Sequence, residues 1–266
     1  MDIFKVEKHN EMAYKHLYEN QKFDPKEYVR EILQISHYNH CTTEYLANQL
    51  AIESNTPIEK YRWFNNAVDL SNKYYINKRK ELDENVITFG FQGGTGHRND
   101  LQTIIEPVKK ILKTYKNTAF LFCSQAEYFN DFNLKIYDRA YVLPSTQNFN
   151  EFLSIPSYFN IGLAPLDDKS EFNKSKSYLK MLEYGVYGNV CISSNVGDFN
   201  KFDNGYFTTS NHKWFEAISE LIENPTKRME MAQKQKQLIS EGIYSLEHIN
   251  SQRIEFFKAI EKEFNL

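Results

Sequence analysis

The sequence predicts an α/β protein built on a doubly wound parallel sheet, and three observations predict it. From residue 86 onward, short runs of continuous apolar character recur, as in strands buried on both faces. Between them lie segments of helical periodicity, the alternation expected of a parallel sheet covered by helices. The chain, at 266 residues, is long enough for one large domain of this kind with part of a second.

The strands fall at "VITFGF" (86–91), "TAFLFCS" (118–124), "RAYVLPS" (139–145), "IGLAPL" (161–166) and "NVCISS" (189–194), with the less apolar "NGYFTTS" (204–210) after them. "NDLQTIIEPVKKILKTY" places Leu101, Ile104, Ile105, Val108 and Leu112 on one helical face after the first strand. Three helices close the chain, at 211–223, 226–241 and 246–264, separated by "ENP" and "EGIYS". With right-handed crossovers, the carboxyl ends of the strands form the ligand edge.

Residues 1–84 have a different character. A polar amphipathic stretch ends near Leu33, followed by a strand, a helix beginning at Thr42 or Thr43, and another strand. One or two strands cannot form a sheet with its own core. The charged "SNKYYINKRKELDEN" (71–85) has the composition of a linker. The expected organisation is thus an incomplete α/β domain with its linker (1–84), a Rossmann-like domain (85–244) and a C-terminal helix (245–266) that crosses back to the N-terminal part.

Composition narrows the function. Hydrophobic residues at 41% and charged residues at 25% are globular values. A net charge of −3 gives no footprint for nucleic acid, so any phosphate site has to be local. No apolar run reaches the length of a membrane span, and "MDIFKVEKHNEMAYKH" has no signal-peptide core, which leads to an expected cytoplasmic location. Cys41, Cys123 and Cys191 are widely separated and form no metal-binding or redox pair; Cys123 and Cys191 read as small core residues.

Two loops carry the chemistry. In "IGLAPLDDKSEFNKSKSYLKMLEYG" the expected loop runs to about Asn173, and a helix follows to Gly185 or Gly188. Lys176, Lys180 and Glu183 then share one face, while Leu179, Leu182 and Val186 share the core face. Lys174, Ser175, Lys176 and Ser177 would occupy the helix N-terminus. Cations are unfavourable there unless a bound anion offsets the repulsion, the alternative being a solvated pair on a surface loop. Glu183 reads either as a surface partner of Lys180 or as a carboxylate accepting both hydroxyls of a ribose. The second loop, "GFQGGTGHRND", puts Gly93 and Gly94 at the end of the first strand, where glycine permits positive φ and close approach to a ligand. Position 99 is Asn, which breaks a dinucleotide fingerprint, and no Walker lysine pattern is present. Arg98 is a candidate phosphate ligand or an exposed residue.

Together these loops resemble the nucleotide-sugar-binding C-terminal domain of the GT-B glycosyltransferases, in particular glycosyltransferase family 4, over roughly residues 35–242. "IGLAPLDDKSEFNKSKSYLKMLEYGVYGNVCISSNVGDF" is similar to the family's strand, helix and glutamate–small–Gly–strand block, with Glu183 at the ribose glutamate. The family's second glutamate, eight positions earlier, is Ser175 here; an "N-K-x-K-S" subgroup is closer, with Lys176 and Ser177 beside the phosphates. Of the family's basic pair after the glycine loop, Arg98 is the firm match and His97 a poor one.

The resemblance implies a GT-B type Rossmann-like fold and metal-independent, retaining transfer of a sugar from a nucleoside diphosphate donor to a glycan or lipid-linked hydroxyl. It implies polysaccharide biosynthesis at the inner face of the membrane, without a cofactor. Gly93, Gly94, Arg98, Lys176, Ser177 and Glu183 would bind the donor, and no catalytic nucleophile is assigned. Most of the acceptor-side domain is missing, so either the chain is truncated or a second polypeptide supplies that half. A non-catalytic nucleotide-sugar-binding subunit is the alternative. A hydrolase lacks its G-x-S-x-G elbow here, and an epimerase of this fold has two complete domains.

Overall fold

The computed structural model describes residues 3–5, 15–19, 24–72, 83, 85–143, 148–201, 206–208 and 210–265. The strands are β1 (Asn39–Cys41), β2 (Tyr61–Trp63), β3 (Ile87–Gln92), β4 (Thr118–Cys123), β5 (Ala140–Val142), β6 (Ile161–Ala164), β7 (Val190–Ser194) and β8 (Tyr206–Thr208). The helices are α1 (Pro25–Ile35), α2 (Glu44–Ser54), α3 (Arg98–Gln102), α4 (Ile105–Thr114), α5 (Ala126–Asp131), α6 (Phe149–Ser154), α7 (Glu171–Lys174), α8 (Leu179–Gly185), α9 (Asn211–Glu223), α10 (Pro225–Ser240) and α11 (Leu246–Phe264).

Six strands form a wholly parallel sheet in the order β5-β4-β3-β6-β7-β8. The chain winds outward from β3 in one direction and then from β6 in the other, the Rossmann pattern with its switch point between those two strands. Phe89, Phe120 and Ile192 pack with Val108 of α4 and Trp214 and Ile218 of α9 in one buried cluster. A second cluster joins Leu121, Ala164 and Cys191 to Leu182 of α8 and Ile239 of α10. Helices therefore cover both faces, which is why these strands are apolar throughout rather than alternating.

The switch point has a physical seam. β3 pairs with β4 over six residues but with β6 only at Phe89↔Ile161 and Gly90↔Gly162, after which the strands separate. The Tyr184 hydroxyl occupies the fork, accepting from the Gln92 N–H at 3.2 Å and donating to the Leu163 carbonyl at 3.4 Å. Burial pushes this phenol's pKa well above its ordinary value, so it stays protonated. Gly162 makes room for the ring: a Cβ there would lie 2.2 Å from Tyr184 Cδ2.

The expected continuous helix after the glycine loop is two helices, α3 and α4. Pro107 explains the break, since it lacks an N–H and its ring excludes a helical carbonyl four residues earlier, at Thr103. The chain restarts at Ile105 so that the proline falls in the first turn of α4.

In the N-terminal part, β1 and β2 form a two-stranded parallel sheet linked through α2. Thr43 caps α2, its hydroxyl accepting from Leu46 N at 3.1 Å. Ala47, Ala51, Tyr61 and Leu33 make a small core of their own. α11 lies against this part: Phe256 meets Tyr38 and Phe64, and the Tyr38 hydroxyl donates to Glu263 at 2.7 Å. Most of the charged stretch at 71–85 lies outside the described residues. Cys123 and Cys191 are buried and all three cysteines are free; burial raises the Cys123 thiol to about 11.

Candidate functional site

The loops after β3 and β6 face each other across the switch point, and α8 rises from the second of them. The expected single helix from Lys174 to Gly185 does not form. Ser170 caps the four-residue α7, the backbone turns through Ser175–Tyr178, and α8 begins at Leu179. Side-chain bonds compete with helical ones in this stretch. Asn173 Nδ2 donates to Asp100 Oδ1 at 2.7 Å and to the Asp167 carbonyl at 3.0 Å. The Thr43 hydroxyl donates to the Ser175 carbonyl at 3.2 Å, and Asn66 Nδ2 to Ser177 Oγ at 2.6 Å. Lys174 accordingly turns outward to Glu171, while Lys176 turns inward.

A cleft of about 420 Å³ results. His97, Lys176, Ser177, Lys180 and Glu183 line its sheet side, and Thr42, Leu46 and Asn66 of the N-terminal part line the other. Glu183 is half-buried, and among the described residues no hydrogen bond or ion pair holds its carboxylate. Burial raises its pKa, with the Lys180 charge opposing the rise. The Lys180 ammonium donates to the Gln92 carbonyl at 2.5 Å and sits 5.1 Å from the Phe91 ring centre. Burial lowers the Lys180 pKa, and Glu183 works against that shift.

Asp100 anchors the sheet side at His97 and Lys176. It is 2% exposed, and four donors converge on it: Asn173 Nδ2 and Asp167 N on Oδ1, His97 Nδ1 at 2.7 Å and Lys176 Nζ at 3.2 Å on Oδ2. Burial alone would raise its pKa; His97, Lys176 and the Asp167 N–H outweigh that and hold it well below the carboxylate range. Burial lowers His97 to about 4, with the Lys176 and Lys180 charges adding to the effect and Asp100 resisting it.

The structure brings Lys176, Ser177 and Glu183 together in one cleft. Gly93 and Gly94 lie at the end of β3 but carry no positive φ; Gly94 has φ −77°. The space a Gly93 side chain would need is filled by Phe91 and by His97, whose Cδ2 is 2.9 Å from the Cβ position. Arg98 does not line the cleft. It pairs with Asp131 at 2.5 Å, and its guanidinium lies over Tyr128 and Phe132 of the α5 region. Sequence reasoning missed Asp100, whose signal is its place three residues after His97, and placed Lys180 only as a partner of Glu183. The arrangement offers two cations for an anion and an acceptor-only carboxylate for a diol.

No family model and no curated protein matches the sequence. Solved structures do match it. One of HepE from Anabaena, in complex with UDP and glucose, superposes with a TM-score of 0.67 at 11% identity, covering 88% of this chain and 67% of HepE. WaaG, a glycosyltransferase involved in lipopolysaccharide biosynthesis, gives a TM-score of 0.61 at 12% identity over 78% of this chain and 60% of WaaG. The C-terminal domain of the group 1 glycosyl transferase LpcC from Francisella tularensis gives 0.51 at 18% identity, over 60% of this chain and 87% of that domain. The fold is that of the GT-B glycosyltransferases. On the GT-B framework the cleft lies at the switch-point crevice of the sheet, outside the strands' carboxyl ends, where ligands of open α/β sheets bind. This GT-B chain spans about two thirds of HepE.

Proposed function

We propose that this chain binds a nucleoside diphosphate-sugar in the cleft at the β3/β6 switch point and transfers the sugar to a hydroxyl acceptor. The observation that carries the reading is the Glu183 carboxylate, without a protein partner among the described residues, beside the two lysines Lys176 and Lys180. Glu183 accepts the ribose hydroxyls, and the lysines stabilise the charge that develops on the departing diphosphate. Lys176 meets Asp100 at one oxygen and has two further N–H groups for phosphate. Ser177 adds a hydroxyl at the same wall, while Gly93 lets Phe91 and His97 pack against the end of β3.

Transfer proceeds with retention and without a metal ion, onto a glycan or lipid-linked acceptor in polysaccharide synthesis at the inner face of the membrane. Residues 85–244 form the donor half.

Calorimetry with UDP, GDP, ADP and dTDP tests the donor role. Glu183→Ala is expected to weaken the nucleotide that binds by about 1–3 kcal/mol, the value of charge-assisted hydrogen bonds. Unchanged affinity removes the ribose role from Glu183.

A further inference from the structure

We propose that His97 is a sugar-selecting residue, its Nε2 accepting a hydrogen bond from a hydroxyl of the sugar being transferred. The inference rests on the donor reading above. Nδ1 of His97 faces a carboxylate oxygen of Asp100 at 2.7 Å. A carboxylate only accepts, so the proton of a neutral ring must sit on Nδ1. Nε2 is then a bare lone pair. Among the described residues it has no hydrogen-bond partner, and the ring lines the cleft.

Such an atom repels phosphate oxygen and suits a hydroxyl. Burial and the charges of Lys176 and Lys180 keep the ring neutral, with Asp100 pulling the other way. The order of groups along the cleft assigns the sugar to His97. Lys180 is one helical turn before Glu183 on α8, Lys176 precedes α8, and Asp100 joins Lys176 to His97 beyond it. A donor with its ribose at Glu183 and its diphosphate at the lysines brings the sugar next to His97.

The test is the ratio of dissociation constants for a sugar nucleotide and its nucleotide, beginning with UDP-glucose and UDP and continuing through the GDP and dTDP pairs. His97→Phe is expected to raise that ratio about fivefold to tenfold, the loss of one hydrogen bond, while the affinity for the bare nucleotide moves less than about twofold. His97→Gln, whose amide nitrogen can serve Asp100 while its oxygen serves the sugar, is expected to stay within about twofold of the wild-type ratio. His97→Ala is read in the same way if the phenylalanine variant does not fold. A ratio unchanged in these variants, including equal weakening of both ligands, overturns the assignment and leaves the donor reading standing. Failure of the wild-type chain to bind any of the nucleotides overturns both.

Discussion

Replacing Asp100 with alanine removes the acceptor on which one wall of the cleft converges. Four donors lose it: the His97 ring, the Lys176 ammonium, the Asn173 amide and the Asp167 backbone N–H. Lys176, with 23% of its side chain exposed, can rehydrate, and Asn173 keeps its bond to the Asp167 carbonyl. The Asp167 N–H and His97 Nδ1 lose the acceptor each is aimed at. At about 1–3 kcal/mol for each stranded group, the expected loss is about 3–5 kcal/mol. That corresponds to a fall in melting temperature of roughly 6–20 °C for a chain of this size.

Urea unfolding followed by circular dichroism measures it, with Asp100→Asn as the isosteric control that retains one acceptor. The pH dependence has a definite sign. The low folded pKa of Asp100 stabilises the wild type at pH values above the ordinary aspartate range, and that contribution is lost as pH falls through the folded value. His97, held at about 4, adds a loss in the same direction between about pH 6.5 and 4, because the unfolded chain protonates first. The alanine variant is expected to show a flatter profile below pH 4. A loss under about 1 kcal/mol, or an unchanged acid profile, refutes the view that Asp100 organises this wall.

Lys180→Met keeps the length of the side chain and removes its charge; nucleoside diphosphate affinity should drop about tenfold or more while nucleoside affinity holds, as titration calorimetry would show. Arg98→Ala should leave nucleotide affinity unchanged and cost under about 1 kcal/mol in stability, since its partner Asp131 is an exposed carboxylate; a selective loss of diphosphate binding would return Arg98 to the site. Chelation by EDTA should leave sugar transfer intact, and loss of transfer restored by added divalent metal contradicts the metal-independent reading.

The sheet was legible because its central strands β3, β4, β6 and β7 are buried on both faces and read as apolar runs, whereas the edge strand β5 keeps Tyr141 and Val142 exposed. Helices α9 and α11 match their expected bounds because Ser210 and Ser245 cap them, accepting from Lys213 and His248. What local pattern could not show is competition from distant residues. The turn at Ser175–Tyr178 follows from bonds that Thr43, Asn66 and Asp100 make across more than 70 positions, and helical periodicity contains no trace of them. Arg98 and His97 are neighbours with opposite fates for the same reason. Two aromatic rings and Asp131 draw the guanidinium toward α5, whereas Asp100 draws the imidazole to the cleft. Lys180 and Glu183 lie one turn apart on α8 as the helical spacing predicts, whereas Lys176 reaches the same cleft from the turn before it.

Tyr184 wedges the gap where the two central strands part, and it is the residue next to Glu183. The acid's bearing is therefore dictated from beneath, by a ring keyed into the interlayer, and not by the loops around the mouth of the crevice. Those loops can exchange residues without swinging the carboxylate off its mark. A change at Gly162 would do the reverse: lying far from any solvent-facing contact, it would tip the wedge and misalign the acid.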